Sequence, residues 1–254
     1  MQLPPYTKSQ KLTIFHLFKF RYLQINHLQQ LFNHRDPHRV KQWLQDLENK
    51  RYIDLIKNPK DRTKPYIFCL AQRSGHILRK EADIKENSLK WLYKEKSKEK
   101  NFIDHHLFLA DTCLYFRKNK SKDAKINFFT KQDLLEYNYF PDPLPDSYID
   151  VEEKNQNTRY FLNYFDSETP PSFIRFRLST YFKYFKSGNW QNNTDNAAFP
   201  AILFILHNQR RKNHVDYYGK ALLSKSIHDL DIYLTTKDKI KLEEGKENIW
   251  QKVD

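Results

Sequence analysis

The chain predicts an α+β protein of two domains, and three observations carry that prediction. Helical patterns and then a hairpin pattern follow one another over residues 9–70, positive charge is concentrated over residues 1–100, and beyond residue 123 short β-rich runs alternate with helical ones.

The stretch on which the first domain turns is 37–53, PHRVKQWLQDLENKRYI. Val40, Trp43, Leu44, Leu47 and Ile53 recur at helical spacing and form one stripe to bury, while His38, Arg39, Lys41, Gln42 and Gln45 fall on other faces. Asp36 stands before Pro37 as a cap before the first helical residue, where its carboxylate accepts from an orphan amide and proline's missing N–H costs nothing. Two helices are expected ahead of it. One covers 9–20, with Leu12, Phe15, His16, Leu17 and Phe20 as its stripe, and the other covers 25–32, with a tight corner at 22–24 between them. After it, 52–57 and 65–70 read as strands split by the turn-rich 58–64.

Three helices and a basic hairpin are the order of a winged helix-turn-helix, in which the third helix enters the major groove of duplex DNA and the hairpin meets phosphates. The groove-facing candidates are Arg39, Lys41, Gln42 and Gln45, because Arg pairs with guanine and Gln with adenine by two hydrogen bonds each. Lys57, Lys60, Arg62 and Lys64 are the phosphate candidates.

Composition points the same way. A length of 254 residues with 39% hydrophobic content suffices for two modest cores. The net charge is +13, and residues 1–100 hold 22 Lys and Arg against 10 Asp and Glu while the rest holds 22 against 21. The basicity therefore belongs to the N-terminal part and indicates a polyanion, with double-stranded DNA first among them. Cys69 and Cys113 are too few for a disulfide framework or a zinc site and read as buried apolar residues in a reducing cytoplasm. No apolar run approaches the roughly 18–20 residues a bilayer needs, and the opening MQLPPYTKSQK lacks a signal-peptide core, so neither membrane nor export is expected. Four glycines, with no GxGxxG or GxxxxGK, argue against a nucleotide-driven motor.

The expected organisation is a winged domain over 7–84, a charged solvated helical connector over 85–100, an α/β domain over 101–240 and a polar, frayed tail over 241–254. Residues 101–117 read as a buried helix, and the adjacent His105 and His106 point in different directions on it and so do not chelate one ion. Strands are expected at 126–130, 147–151, 159–165, 199–206 and 229–235, with helices at 173–186 and 208–225. The last of these helices has a basic start, Arg210, Arg211 and Lys212, and FPAILFIL at 199–206 is apolar enough for a central strand covered on both faces.

Pro145 and Asp146 precede one strand, Tyr164-Phe165-Asp166 with Ser167 and Thr169 close the next, and Arg177 and Tyr181 lie on the helix that leads to FPAILFIL. In this order the features resemble the replication-relaxation family over about residues 9–225. The resemblance implies a DNA-binding accessory protein of plasmid or mobile-element replication or mobilisation. Its second domain would supply dimerisation or a surface for a relaxase or replication initiator.

Where that family has the first acid of Glu-x-Asp, this chain has Tyr164, with Asn163 beside it. The arrangement is also similar to the PD-(D/E)xK core of restriction-endonuclease-like folds. That likeness implies the alternative of a metal-dependent DNA endonuclease or nickase, in which Asp146 and Asp166 hold Mg²⁺ and Glu168 takes part. No lysine sits two residues after either strand acid, and Arg177 stays protonated and cannot act as a base. Asp146, Asp150, Asp166 and Glu168 are therefore expected to be the remnant of a degenerate core that needs no cofactor. A winged-helix transcriptional repressor with no link to replication is the third reading.

Overall fold

Thr7 opens the first helix through a reciprocal cap: its hydroxyl accepts from the Gln10 N–H at 3.3 Å, and Gln10 Oε1 accepts from the Thr7 N–H at 2.8 Å. The computed structural model describes residues 3–57, 64–82, 84–154, 156–225, 230–242 and 248–254. The chain forms two compact units, 1–114 and 115–254.

In the first unit, α1 (Lys8–Phe20), β1 (Tyr22–Gln24), α2 (Ile25–Leu31) and α3 (Pro37–Asn49) precede β2 (Ile53–Ile56), β3 (Ile67–Leu70) and α4 (Ser74–Ala82). The face that α1 buries is rotated from the expected one, with Gln10, Thr13, Ile14, Leu17, Phe18 and Phe20 inside and Leu12 41% exposed. Two polar residues take core positions because both are satisfied there: the Gln10 amide donates to the Asp46 carboxylate, and the Thr13 hydroxyl donates to the Ser9 carbonyl at 2.9 Å.

On α3 the Asp36 carboxylate accepts from the His38 N–H at 2.8 Å, and Val40, Leu44 and Leu47 are buried. Trp43 is half-buried and makes edge contacts to Phe32 and His34 at 5.7 and 5.2 Å. The expected corner at 22–24 is itself a strand. β1 pairs antiparallel with β3, Leu23 opposite Phe68, giving a three-stranded sheet in the order β1-β3-β2.

The charged stretch after α4 is not a solvated connector. It forms a 3₁₀ segment (Glu86–Ser97) whose Leu89 and Leu92 are buried, and the Glu95 side chain is fully buried beside the Arg21 guanidinium. Arg21 lies over the Trp91 and Phe102 rings at 4.4 and 4.6 Å, and the Tyr22 hydroxyl donates to the Glu95 carbonyl at 2.8 Å. A carboxylate enters an interior only with such partners, so this segment is part of the first unit's core. α5 (Lys100–Asn119) follows, with Ile103 and Leu107 packed on Tyr22 and Cys69, and the division between the units falls inside this helix.

The second unit contains β4 (Lys125–Thr130), α6 (Lys131–Leu134), β5 (Ser147–Glu153), β6 (Gln156–Phe165), α7 (Pro171–Lys186), α8 (Asn189–Asn193), β7 (Ala201–Leu206), α9 (Gln209–Leu223), β8 (Ile232–Thr236), α10 (Lys237–Lys241) and β9 (Gln251–Lys252). Its six-stranded sheet runs β4-β5-β6-β7-β8-β9. β4, β5 and β6 are antiparallel neighbours, β6, β7 and β8 are parallel, and β9 returns antiparallel on β8. β7 is central and buried, as its apolar run requires. Phe161, Phe165, Leu178, Tyr181, Trp190 and Phe204 lie in the core between sheet and helices.

The class is thus mixed α+β with two sheets. The tail is not frayed at its end, because Val253 is buried where a Cβ on Gly219 of α9 would come within 3.0 Å of it, so a bare glycine admits the last strand. Among the described residues no helix is long and apolar enough to cross a membrane.

Removing one partner of a buried pair leaves an uncompensated charge. Glu95→Ala should therefore destabilise the first unit by about 3–5 kcal/mol, read as an earlier urea transition, and the Arg21→Met, Glu95→Leu double variant should recover most of that loss.

Candidate functional site

Two places gather the residues singled out by the sequence. The first is the outer side of α3. Because Val40, Leu44 and Leu47 fix the inner face, His38, Arg39, Lys41, Gln42 and Gln45 are held outward, and all five are exposed. Lys57, after β2, and Lys64, ahead of β3, are exposed, while Lys60 and Arg62 lie outside the described residues.

Lys41 and Lys64 line one depression of about 490 Å³ together with Ile25, Asn26, Gln29 and Tyr66. The start of α2, the start of α3 and the approach to β3 therefore share a surface. Tyr66, 44% exposed within the stretch 65–70 expected as a strand, adds a flat apolar face beside the charge of the two lysines.

The second place is the end of the large sheet where β5 begins and β6 ends. Ser147 lies opposite Leu162, so Asp146 falls opposite Asn163 rather than Tyr164. Asp146 is buried and its two oxygens are engaged: Oδ2 accepts from the Tyr164 N–H at 2.8 Å and Oδ1 from the Lys131 ammonium at 2.7 Å. Lys131 was not foreseen. Its signal was the Thr130-Lys131-Gln132-Asp133 cap, in which Asp133 accepts from the Thr130 N–H at 2.7 Å and starts α6 at the foot of β5.

Opposite, the Asn163 carbonyl accepts from Arg177 Nε at 2.8 Å and its amide donates to the Tyr181 hydroxyl at 2.8 Å. Arg177 also donates to Tyr181 at 3.0 Å and to the Pro143 carbonyl. The pair carried over by the family resemblance, Arg177 and Tyr181, thus meets around Asn163. Burial pushes the Tyr181 phenol up, against the lowering pull of Arg177, so it stays protonated.

The other acids are placed apart from this cluster. Asp166 closes a turn, with Oδ1 accepting from the Glu168 N–H at 3.0 Å, the Thr169 N–H at 2.9 Å and the Thr169 hydroxyl at 2.8 Å. Glu168 is exposed, and Asp150 pairs across the strands with Arg159 at 3.5 Å.

A hard divalent cation needs free carboxylate oxygens. Here one carboxylate is neutralised by an ammonium, the facing residue is an amide under a guanidinium, and the third group caps its own turn, so the donor set does not fit such an ion. Among the described residues no three of His, Cys, Asp and Glu converge on one point.

The chain is similar in course to a solved structure titled restriction endonuclease FokI, at 10% identity and a TM-score of 0.35, covering 93% of this chain and 44% of that one. It thus spans less than half the length of that protein, and the likeness is weak. No family model and no curated protein matches the chain.

The two aspartates should separate in stability. Asp146→Ala strands the buried Tyr164 N–H and the Lys131 charge and should cost about 2–3 kcal/mol, whereas Asp166→Ala removes a turn cap and should cost about 1 kcal/mol, both by urea unfolding of the second unit.

Proposed function

We propose that the protein binds double-stranded DNA through its first unit, in the manner of a winged helix-turn-helix, as an accessory protein of plasmid or mobile-element replication or mobilisation. The observation that carries this reading is α3, with one face buried by Val40, Leu44 and Leu47 and the opposite face presenting Arg39, Lys41, Gln42 and Gln45 to solvent. A helix held in this way has the size and exposure to lie in a major groove, with Arg and Gln able to read base edges.

Further support comes from the order α1, β1, α2, α3, β2, β3 and from the sheet that pairs β1 with β3 and β3 with β2, an order that matches a winged helix-turn-helix. Lys41 and Lys64 at one depression give phosphates a place to sit next to the groove-facing residues. The charge surplus of residues 1–100 supplies the long-range attraction.

In this reading the second unit is a non-catalytic scaffold that needs no metal. Asp146 and Asn163 serve as struts between strand and helix, and the unit offers an assembly surface to a relaxase, a replication initiator or a second copy of the chain. Cys69 and Cys113 are buried and form no disulfide with each other, which suits a reducing cytoplasm.

Salt titration tests the DNA contact. With about six phosphates engaged, log affinity for duplex DNA should fall against log salt with a slope steeper than about −5, and Arg62→Ala with Lys64→Ala should make the slope shallower for every sequence alike. Gln42→Ala should instead change sequence preference by about 1–3 kcal/mol at one base pair. A flat salt slope removes DNA from the account. Plasmid incubated with Mg²⁺ or Mn²⁺ should remain supercoiled, and nicking that disappears in Asp146→Asn would overturn the non-catalytic assignment.

A further inference from the structure

Between the starts of α7 and α9 lies a cavity of about 540 Å³ lined by Arg175, Arg210, Arg211, His214, Ile174 and Val215, among others. Both helices follow parallel strands, β6 and β7, so the cavity opens at the carboxyl ends of those strands, where open α/β sheets hold their ligands. Ile174 and Val215 are buried and give it an apolar floor. Among the described residues no carboxylate lines it.

The charges here have different duties. The Arg211 guanidinium donates to the carbonyls of Asp166, Ser167 and Thr169 at the β6–α7 turn, so it pins that turn to α9. Arg175 Nη1 donates to His214 Nε2 at 3.1 Å, which joins α7 to α9 across the cavity. Arg210 is exposed and has no hydrogen-bond or ion-pair partner among the described residues.

The placement is unfavourable for the empty protein. Arg210 and Arg211 sit in the first turn of α9, where the helix macrodipole is itself positive and cations are disfavoured. A bound anion reverses that sign problem, because the Arg210 guanidinium and the dipole then face negative charge, the Arg211 N–H being held by the Asn208 side chain at 3.0 Å. One turn beyond His214 on the same helix is Tyr217, 77% exposed, an aromatic face with little of its surface covered.

We propose that this cavity binds a backbone phosphate of a single-stranded nucleic-acid segment, held by Arg175, Arg210 and His214, with an adjacent base stacked on Tyr217. Stacking on an exposed aromatic beside a basic groove is how strands are held without sequence preference. The site lies wholly in the second unit and does not rest on duplex recognition by α3.

The test uses the full chain and a labelled oligothymidylate of about twelve residues, read by fluorescence anisotropy, with a duplex of equal length measured in parallel. Arg175→Ala with Arg210→Ala should weaken oligonucleotide binding about ten-fold or more. Tyr217→Ala should weaken it about five-fold or more, the lower end for a lost stacked base. Both variants should leave duplex affinity within about two-fold, and Arg210→Ala alone should not lower the thermal midpoint, since it relieves a cation at a helix start.

Oligonucleotide affinity unchanged in the variants, or equal loss for duplex and single strand, would overturn the proposal. So would binding of inorganic phosphate with no gain from the oligonucleotide. The duplex salt slope of the intact protein reports separately on α3 and its hairpin.

Discussion

Arg177 carries a full charge at 2% exposure, and the second unit is arranged around keeping its donors occupied. Three elements converge on it: the approach to β5 through the Pro143 carbonyl, β6 through Asn163, and its own helix α7 through Tyr181 four residues on. A guanidinium is planar and presents five donors in a fixed fork, so it fixes the mutual placement of strand and helix more tightly than an apolar contact would. The residue opposite Asp146 then fits as an amide rather than an acid. Asn163 has both an acceptor for Arg177 and a donor for Tyr181, and a carboxylate has no donor to give. This end of strands β5 and β6 is knitted by one cation, one amide and one phenol. Lys131 extends the pattern by neutralising Asp146 from the start of α6.

The first unit meets a related constraint with the opposite outcome for its surface. Its own buried charge, Glu95, is matched by Arg21, which is sandwiched by the Trp91 and Phe102 rings. A segment rich in Lys and Glu is thereby folded against the unit, with Leu89 and Leu92 buried and Lys90, Lys94 and Lys96 exposed. The buried pair takes one acid and one base, so the surplus of basic residues over 1–100 is unchanged by it, although Lys11, Lys50 and Lys96 are themselves paired with Glu81, Asp46 and Asp54.

What the sequence made legible was whatever a local rule determines. The start of α3 was readable because Asp36 and Pro37 satisfy cap and first-turn geometry without help from elsewhere, and β7 because an uninterrupted apolar run has few other places to go. The features that escaped depend on partners distant in sequence. Gln10 and Thr13 are polar and lie outside the apolar stripe, yet Gln10 finds Asp46, and the core face of α1 turns accordingly. β1 is three residues long and exists because β3 offers it an edge, and β9 exists because Gly219 leaves space for Val253. At the candidate site, Asp146 was identifiable from Pro145 and the strand that follows. The residue that faces it is Asn163 and not the expected Asp166, because register is set by pairing and not by motif spacing.

Net charge misleads in a similar way. Residues beyond 100 are close to neutral as a group, 22 basic against 21 acidic, and on that count alone they suggest no polyanion contact. Folding sorts the charges. Asp146 and Asp150 are paired with Lys131 and Arg159 in the strands β4–β6 half of the sheet, while Arg175, Arg210, Arg211 and His214 collect where two helices begin, with no acid lining the cavity among the described residues. Two of these arginines stand where a helix is least hospitable to cations, and only one of the two, Arg211, is bonded to backbone carbonyls. An arginine with no partner among the described residues, at the positive end of a helix and lining one cavity with Arg175 and Arg211, makes an electrostatic arrangement that a phosphate completes.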